Sequence, residues 1–219
     1  MYAGGDGYDR LYVDAQERTG PRPFPVTTFY LKDSHNIEAL YGSLGDDRLD
    51  VGTSYGVHAG AGSGNDYIHG GSGNDTLFGE SGNDHVSGGL GDDEVWGNNG
   101  DDYLLGGTGN DTLFGNEGAD LLADDEGSNV FWGGAGDDVF GFNRWHETNT
   151  VMDFEGAGVA GGDLISVFRP GVEQLTFEYF IDNHVAQVGN DTHLVFNSSV
   201  MVLVGVDKST LGADDLVFL

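Results

Sequence analysis

Residues 61–141 read AGSGNDYIH, GGSGNDTLF, GESGNDHVS, GGLGDDEVW, GNNGDDYLL, GGTGNDTLF, GNEGADLLA, DDEGSNVFW and GGAGDDVFG, which are nine nonapeptides without a gap. Glycine holds the fourth position of every nonapeptide, an acidic residue nearly always holds the sixth, and an apolar residue always holds the eighth. GSLGDDRLD at residues 42–50, which is one residue out of register with the main array, and GGDGYDRLY at residues 4–12 fit the same template. Self-similarity at a fixed period predicts a repeat architecture.

Each nonapeptide divides into a turn and a short strand. The first six positions are rich in Gly, Asn and Asp, which adopt left-handed backbone conformations at low steric cost and therefore favour a turn. The last three positions surround one apolar residue, so they predict a short strand whose central side chain points inward. These inward residues are Leu11, Leu49, Ile68, Leu77, Val86, Val95, Leu104, Leu113, Leu122, Phe131 and Phe140. A disordered acidic tract is the alternative for such a composition, but disorder gives no reason to keep an apolar residue at every ninth position.

The charge of the chain restricts its partners. Asp and Glu number 37 against eight Lys and Arg, which gives a formal net charge of −29. Residues 49–143 contain eighteen Asp or Glu and no Lys or Arg, so internal ion pairs cannot offset this charge. Such a chain repels nucleic acids and anionic membrane surfaces, and no apolar run is long enough to span a bilayer. The expected partners are therefore cations.

The nonapeptides resemble the RTX, or hemolysin-type, calcium-binding repeats, whose pattern is GGxGxDxUx. The resemblance extends over roughly half of the chain. It implies an all-β fold, a right-handed parallel β-roll with two nonapeptides per coil and calcium ions between successive turns on each edge. It also implies that the sixth-position Asp side chain binds the neighbouring ions and that turn carbonyls, including those of the second and fourth positions, supply further ligands.

In such a roll, residues 18 apart stack at the strand spacing of roughly 4.8 Å. One column then contains Asp66, Asp84, Asp102, Asp120 and Asp138, and the other contains Asp75, Asp93 and Asp111, with Asn129 in the fourth place. Neighbouring carboxylates about 5 Å apart repel by roughly 3 kcal/mol at an effective dielectric near 20. A hard divalent cation between them converts this repulsion into attraction, and calcium takes six to eight oxygen ligands.

The two columns predict about six to eight calcium ions. Six sites are regular, four in the first column and two in the second. Asn129 is neutral, which weakens a site with Asp111, and Asp47 lies nineteen residues before Asp66, so it needs a bulge to join the column. Magnesium demands a tighter octahedron, and zinc prefers clustered His or Cys. The predicted ligands are Asp47, Gly62, Gly64, Asp66, Gly71, Gly73, Asp75, Gly82, Asp84, Gly89, Gly91, Asp93, Gly100, Asp102, Gly107, Gly109, Asp111, Gly118, Asp120, Asn129, Gly134, Gly136 and Asp138.

The sequence divides into three parts. Residues 1–41 are a partial repeat with an insertion, residues 42–141 are the calcium-binding roll, and residues 142–219 are a β-rich C-terminal cap. Within these parts, residues 51–60 are expected to be irregular. The cap contains strand-like segments that include NTVMDF, DLISVF, LTFEYFI, THLVF and VMVLVGV. Its last five residues resemble the end of a type I secretion signal, although an ordinary final strand explains them equally well.

Two short strings resemble catalytic motifs, but neither meets all the requirements of its motif. GTSYG at residues 52–56 matches the GxSxG string of hydrolases, but that motif needs a following helix, which is not predicted here. His146 and Glu147 begin an HExxH zinc motif, but Thr150 stands where the second histidine belongs. We therefore expect no catalytic residue in this chain.

Four aromatic residues occupy the ninth position of alternate nonapeptides: Phe78, Trp96, Phe114 and Trp132. They are expected on the outer face of one sheet, either as a ladder that stabilises neighbouring strands or as a docking face that the tail after Phe142, another domain or a second copy covers. The resemblance implies a secreted, extracellular module that supports export, folding and stability of a larger protein with a catalytic domain. The alternative is an adhesion or glycan-binding module that uses the aromatic face.

Overall fold

The computed structural model describes residues 10–12, 27–32, 38–142, 148–156, 162–167, 177–196 and 199–218. Its strands are β1 (Arg10–Tyr12), β2 (Thr27–Lys32), β3 (Ala39–Ser43), β4 (Asp47–Thr53), β5 (His58–Ser63), β6 (Tyr67–Gly71), β7 (Thr76–Ser81), β8 (His85–Leu90), β9 (Glu94–Asn99), β10 (Tyr103–Thr108), β11 (Thr112–Glu117), β12 (Leu121–Ala123), β13 (Val130–Ala135), β14 (Val139–Phe142), β15 (Thr148–Val151), β16 (Leu164–Val167), β17 (Val185–Val188), β18 (Asp191–Phe196), β19 (Ser199–Leu203) and β20 (Leu216–Phe218). One helix, α1, spans Phe177–His184, and short 3₁₀ turns lie at Lys208–Thr210 and Ala213–Asp215.

Successive strands alternate between two parallel sheets. Odd-numbered strands from β1 to β15 pair in order in one sheet, and even-numbered strands from β2 to β16 pair in order in the other, which ends with β20. From β5 to β14, strands two apart in the chain pair at a separation of 18 residues, as in Phe78↔Trp96 and Tyr103↔Leu121. Strands β3 to β14 therefore form six coils of two strands each, which confirms the predicted all-β parallel roll.

The core of the roll is the space between the two sheets. The eighth-position residues from Leu49 to Phe140 all lie there with no exposed surface. Burying one such side chain contributes about 1.5–3 kcal/mol, so one apolar residue per strand provides a continuous core along the roll.

Glycine is required where the turns of adjacent coils touch. Gly82 has a φ of +129°, and a Cβ atom on it would lie 1.7 Å from the carbonyl oxygen of Gly64 in the preceding coil. A residue with a side chain would be strained by this φ angle and would also clash with the backbone. The fourth-position glycine therefore allows the coils to stack at the spacing of a β-sheet.

The N-terminal strands continue both sheets. Strand β2 pairs with β4 from Thr27↔Asp47 to Lys32↔Gly52, and β1 pairs with β3. The expectation that residues 51–60 are irregular is wrong for most of that stretch, because β4 extends to Thr53 and β5 begins at His58. The irregularity is a register shift between Asp50 and Thr53 in the pairing of β4 with β6, and it absorbs the extra residue between the outlying nonapeptide and the main array.

The C-terminal strands extend the ends of both sheets. Strand β15 pairs with β13 and β19, strands β17–β19 pair antiparallel, and β16 and β20 continue the second sheet. LTFEYFI at residues 175–181 was predicted to be a strand, and this is wrong because α1 covers most of it. Its apolar residues recur at a spacing of three to four, which suits a helix, and Ile181 packs against the core. Within the described ranges, no helix has the length and apolar character that a membrane crossing needs.

Candidate metal centres

The sixth-position side chains of one edge form a continuous ladder. The backbone N–H of each Asp donates to Oδ1 of the Asp one coil further on, with N···O distances of 2.7 Å for Asp66 to Asp84 and 2.9 Å for Asp120 to Asp138. Asp47 joins the ladder through its own N–H, which lies 2.6 Å from Asp66 Oδ1. The structure therefore places Asp47, Asp66, Asp84, Asp102, Asp120 and Asp138 in one column.

The opposite edge carries the second ladder. The N–H of Asp75 donates to Asp93 Oδ1 at 2.8 Å, and the N–H of Asp93 donates to Asp111 Oδ1 at 2.7 Å. The N–H of Asp111 then donates to Oδ1 of Asn129 at 2.7 Å. The structure thus brings together the members of the second predicted column in the expected order.

The other carboxylate oxygen of each aspartate has no hydrogen-bond partner. This applies to Oδ1 of Asp47 and to Oδ2 of Asp66, Asp75, Asp84, Asp93, Asp102, Asp111, Asp120 and Asp138. These nine residues are at most 3 % exposed. A buried, unsatisfied carboxylate oxygen is costly unless a cation or a proton compensates it. The repetition of this feature in every coil indicates a row of cation sites along each edge.

Backbone oxygens converge on the same places. A Cβ atom on Gly88 would lie 2.2 Å from Asp93 Oδ2 and 2.6 Å from the carbonyl oxygen of Gly106 in the next coil. The same arrangement recurs at Gly70, where the corresponding distances to Asp75 Oδ2 and Gly88 O are 2.4 and 2.5 Å. Carboxylate and carbonyl oxygens from successive coils are the ligands that calcium prefers. The residues present therefore fit calcium, which would supply the positive charge that this part of the chain lacks.

The predicted glycine positions stack beside these columns. A Cβ on Gly89 would lie 2.2 Å from the carbonyl oxygen of Gly71, and one on Gly91 would lie 2.3 Å from that of Gly73. Equivalent close approaches to the preceding coil involve Gly62, Gly64, Gly82, Gly100, Gly107, Gly109, Gly118, Gly134 and Gly136. Their carbonyl groups thus line the turns on both edges, and their role as calcium ligands stays a prediction.

The fifth-position acids point away from the columns. Asp92, Asp101 and Asp137 are exposed. Asp92 Oδ1 accepts the backbone N–H of Asn110 at 2.8 Å, and Asp101 Oδ1 accepts that of Ala119 at 2.9 Å. Fifth-position side chains thus form an outer ladder of their own in contact with water.

Burial changes the acidity of the inner carboxyls. In the metal-free protein it raises the pKa of Asp66, Asp75, Asp102, Asp111 and Asp138 to about 7, and that of Asp84, Asp93 and Asp120 to about 6. The backbone N–H from the preceding coil lowers each pKa and opposes burial only in part. Without a metal ion, these carboxyls therefore hold protons that an exposed Asp would release.

This shift predicts how the metal-free protein responds to pH. The folded pKa values lie above the ordinary value of 3.8 for an Asp side chain, so protonation favours the metal-free folded state, and this contribution is lost as pH rises through about 6 to 7. Calcium-stripped protein should therefore contain more β-structure at pH 5 than at pH 8, as measured by circular dichroism. Sedimentation at each pH controls for aggregation near the pI. Equal or greater β-content at pH 8 would contradict the assignment of buried, uncompensated carboxyls.

Sequence reasoning missed two residues that extend the columns. The N–H of Asp138 donates to Asp163 Oδ1 at 3.1 Å, and the N–H of Asn129 donates to Asn149 Oδ1 at 3.1 Å. These pairs are separated by 25 and 20 residues, so the period of 18 could not identify them. Asp163 is 3 % exposed, and its Oδ2 accepts the N–H of Glu155 at 2.8 Å. The first column therefore continues into the C-terminal part of the chain.

The two incomplete catalytic strings gain no support. Ser54 is exposed and follows the end of β4, and the chain continues into strand β5, without the helix that a nucleophile elbow needs. His146 and Glu147 lie outside the described residues. In the described part of the chain, no group of three or more His, Cys, Asp or Glu is placed to hold a metal, which leaves the paired carboxylates and carbonyls of the columns.

The ninth-position aromatic residues form a ladder on the outer face. Phe78 and Trp96 stack with ring centroids 6.0 Å apart, and Trp96 and Phe114 stack at 3.8 Å. Trp132 is the register partner of Phe114 and is 38 % exposed. The ladder interpretation therefore describes three of the four rings, whereas a docking role for this face stays a prediction.

A family model and two solved structures relate the chain to known proteins. The family model for the RTX calcium-binding nonapeptide repeat matches in four copies, at residues 60–95, 78–113, 96–123 and 114–142. The AlgE6R3 subunit of the mannuronan C5-epimerase from Azotobacter vinelandii is 24% identical, with a TM-score of 0.43 over 66% of this chain and 77% of that one. The extracellular lipase LipA from Serratia marcescens is 16% identical, with a TM-score of 0.35 over 87% of this chain and 42% of the lipase. Proteins with a curated function give no match.

Proposed function

Because residues 60–142 belong to the family of RTX calcium-binding nonapeptide repeats, we propose that the chain is a structural module that folds when it meets calcium-rich surroundings outside the cell. It would support the export, folding and stability of a larger secreted protein, whose catalytic domain carries the activity of a hydrolase or an epimerase. The observation that carries this proposal is the row of buried carboxylate oxygens without partners along each edge.

The charge distribution supports folding that depends on calcium. Residues 49–143 contain no Lys or Arg, so the acidic columns have no cationic side chain within this stretch to compensate them. A site that is assembled only in the folded state transfers its binding free energy to folding. Extracellular calcium modules bind with Kd values of roughly 10⁻⁴ to 10⁻³ M, far above the calcium concentration of the cytosol. The module would therefore remain unfolded before export and fold after it.

The proposed number of ions follows from the columns. Four carboxylate pairs in the first column and two in the second give six regular sites. The hydrogen bond from Asp47 to Asp66 supports a seventh site, because it shows that the extra residue does not displace Asp47 from the column. The unit with Asn129 is the eighth candidate. We therefore propose that the chain binds about six to eight calcium ions. Asp163, which extends the first column, indicates one additional candidate site.

A calcium titration tests the proposed function. We expect β-structure, followed by circular dichroism, to form cooperatively with a midpoint of roughly 10⁻⁴ to 10⁻³ M calcium at neutral pH. Magnesium at the same concentration and ionic strength should fail to replace calcium, because it prefers a tight octahedron and retains water. Complete folding below micromolar calcium, or equal folding with magnesium, would refute a module that responds to the change of compartment.

The adhesion or glycan-binding alternative rests on the aromatic face alone. Stacking between Phe78, Trp96 and Phe114 gives these rings a structural role within the sheet. We therefore place the calcium function first and treat binding or self-association through this face as the second hypothesis. A glycan array tests the second hypothesis. If the aromatic face binds glycans, calcium-loaded protein should bind to the array and the Trp132→Ala variant should bind less.

A further inference from the structure

The nonapeptide at residues 124–132 departs from the repeat at two positions. Its sixth position is Asn129, whereas every other nonapeptide of the array has Asp there. Its first position is Asp124, whereas the seven other nonapeptides from residue 70 onward have glycine there. A carboxylate is thus lost at one position and gained at another within a single nonapeptide. We asked whether the second change replaces the first.

Asn129 retains only half of the role of a sixth-position aspartate. Its Oδ1 accepts the N–H of Asp111, as an aspartate would. Its Nδ2, in place of a carboxylate oxygen, donates to Asp124 Oδ2 in a short hydrogen bond and to Asn149 Oδ1 at 3.0 Å. A hydrogen-bond donor therefore occupies the place where other nonapeptides direct an unpaired oxygen.

Asp124 reaches back to the preceding coil. Its Oδ1 accepts the N–H of Gly107 at 2.5 Å. A Cβ on Gly106 would lie 2.6 Å from this Oδ1 and 2.4 Å from Asp111 Oδ2. At the equivalent point near Gly88, one coil earlier, the second neighbour is a backbone carbonyl oxygen. Asp124 thus adds a carboxylate oxygen where the regular nonapeptides present a carbonyl oxygen.

The arrangement needs a positive charge. Asp111 is 1 % exposed and Asp124 is 2 % exposed, and no backbone N–H reaches Asp111 Oδ2. Two buried carboxylates that converge on one point repel each other strongly unless a cation or a shared proton lies between them. Residues 49–143 supply no Lys or Arg for this purpose.

We propose that Asp124 is a calcium ligand opposite Asp111, so that the last ion of the second column is bound although Asn129 is neutral. This inference rests on the proposed calcium function. The site beside Asn129 then has two carboxylate ligands, like the regular sites. Its second carboxylate comes from the first position of the nonapeptide and not from the sixth.

The same geometry explains why both changes occur together. A Cβ on the first-position glycine of regular nonapeptides would lie 2.2 Å from Oδ2 of the sixth-position aspartate at Gly88 and Gly97. Acidic residues at both positions would therefore bring two carboxylates of one nonapeptide into contact. The amide of Asn129 removes this repulsion and donates a hydrogen bond to Asp124 instead.

The test compares Asp124→Asn with Asp125→Asn. Both substitutions remove one negative charge from adjacent positions, but Asp125 is exposed. By calorimetric titration, Asp124→Asn should bind one calcium ion fewer than the parent and melt at a lower temperature in saturating calcium. Asp125→Asn should match the parent in both measurements. Equal stoichiometry for the two variants and the parent would overturn the inference, and would mean that Asp124 and Asp111 share a proton.

A double variant guards against simple misfolding. Asp124→Gly combined with Asn129→Asp moves the carboxylate to its regular place and should restore the stoichiometry of the parent. If Asp124→Gly alone folds and binds as many ions as the double variant, the carboxylate of Asp124 is not a ligand, and the inference is wrong. A parent protein that binds no calcium would refute the proposed function itself, which distinguishes the two failures.

Discussion

Removal of calcium at pH 8, where the inner carboxyls are largely ionised, is expected to abolish most of the β-structure of the chain. The six regular carboxylate pairs of the two columns would each cost about 3 kcal/mol without a cation. Domains are typically stable by only about 5–15 kcal/mol. The repulsion therefore exceeds the stability that the core can offer, unless the carboxyls take up protons.

Far-UV circular dichroism in excess chelator measures this effect. The spectrum should change from that of a β-protein to that of a largely disordered chain, and added calcium should restore it cooperatively. Sodium chloride at matched ionic strength serves as the control, since it screens exposed charges but does not coordinate buried ones. An unchanged β-spectrum in chelator would show that the roll is stable without its ions.

Replacement of Asp93 should have the second largest effect. Asp93 lies between Asp75 and Asp111 in its column, and its Oδ2 is buried without a partner. Asp93→Asn keeps the Oδ1 that accepts the N–H of Asp75 but replaces the other oxygen with a donor. We expect the loss of at least one calcium ion. A ligand at 100 times its Kd stabilises by about 2.7 kcal/mol, so the melting temperature should fall by roughly 5–10 °C.

Asp92→Asn is the matched control. It removes the same charge from the adjacent residue, and asparagine occupies the fifth position naturally as Asn65, Asn74, Asn83 and Asn110. The retained Oδ1 can still accept the N–H of Asn110. The effect on stability should stay within about 0.5 kcal/mol, with unchanged stoichiometry by calorimetry. Equal losses in the two variants would mean that total acidity, and not the inner column, determines calcium binding.

Most of the fold could be predicted from the nine-residue period of the sequence. This period identified the eighth-position core residues, and together with the family resemblance it placed Asp66 and Asp75 in separate columns. This was possible because every nonapeptide repeats the same local choice between turn and strand, so local preference and long-range pairing agree. Where the period ends, the prediction weakened. The short apolar segment LTFEYFI is compatible with either a strand or a helix. In the structure, most of it belongs to helix α1.

The sites at the end of each column required coordinates. Asp163 enters the first column after a connection of 25 residues, whose length the repeat does not specify. Asp124 was visible in the sequence as an acidic residue, but its direction toward Asp111 depends on how two coils stack. The shift at residues 50–53 explains why Asp47 joins its column in spite of its spacing. Such features depend on contacts between coils and not on residue type alone.

The most direct test of the account is the location of calcium in crystals grown with calcium, by anomalous scattering. We predict two rows of peaks along the edges of the roll, each beside the inner carboxylate oxygens of the columns, with one peak between Asp111 and Asp124. The prediction would be contradicted if neither column had peaks, or if the peaks lay beside the exposed carboxylates of Asp92, Asp101 and Asp137.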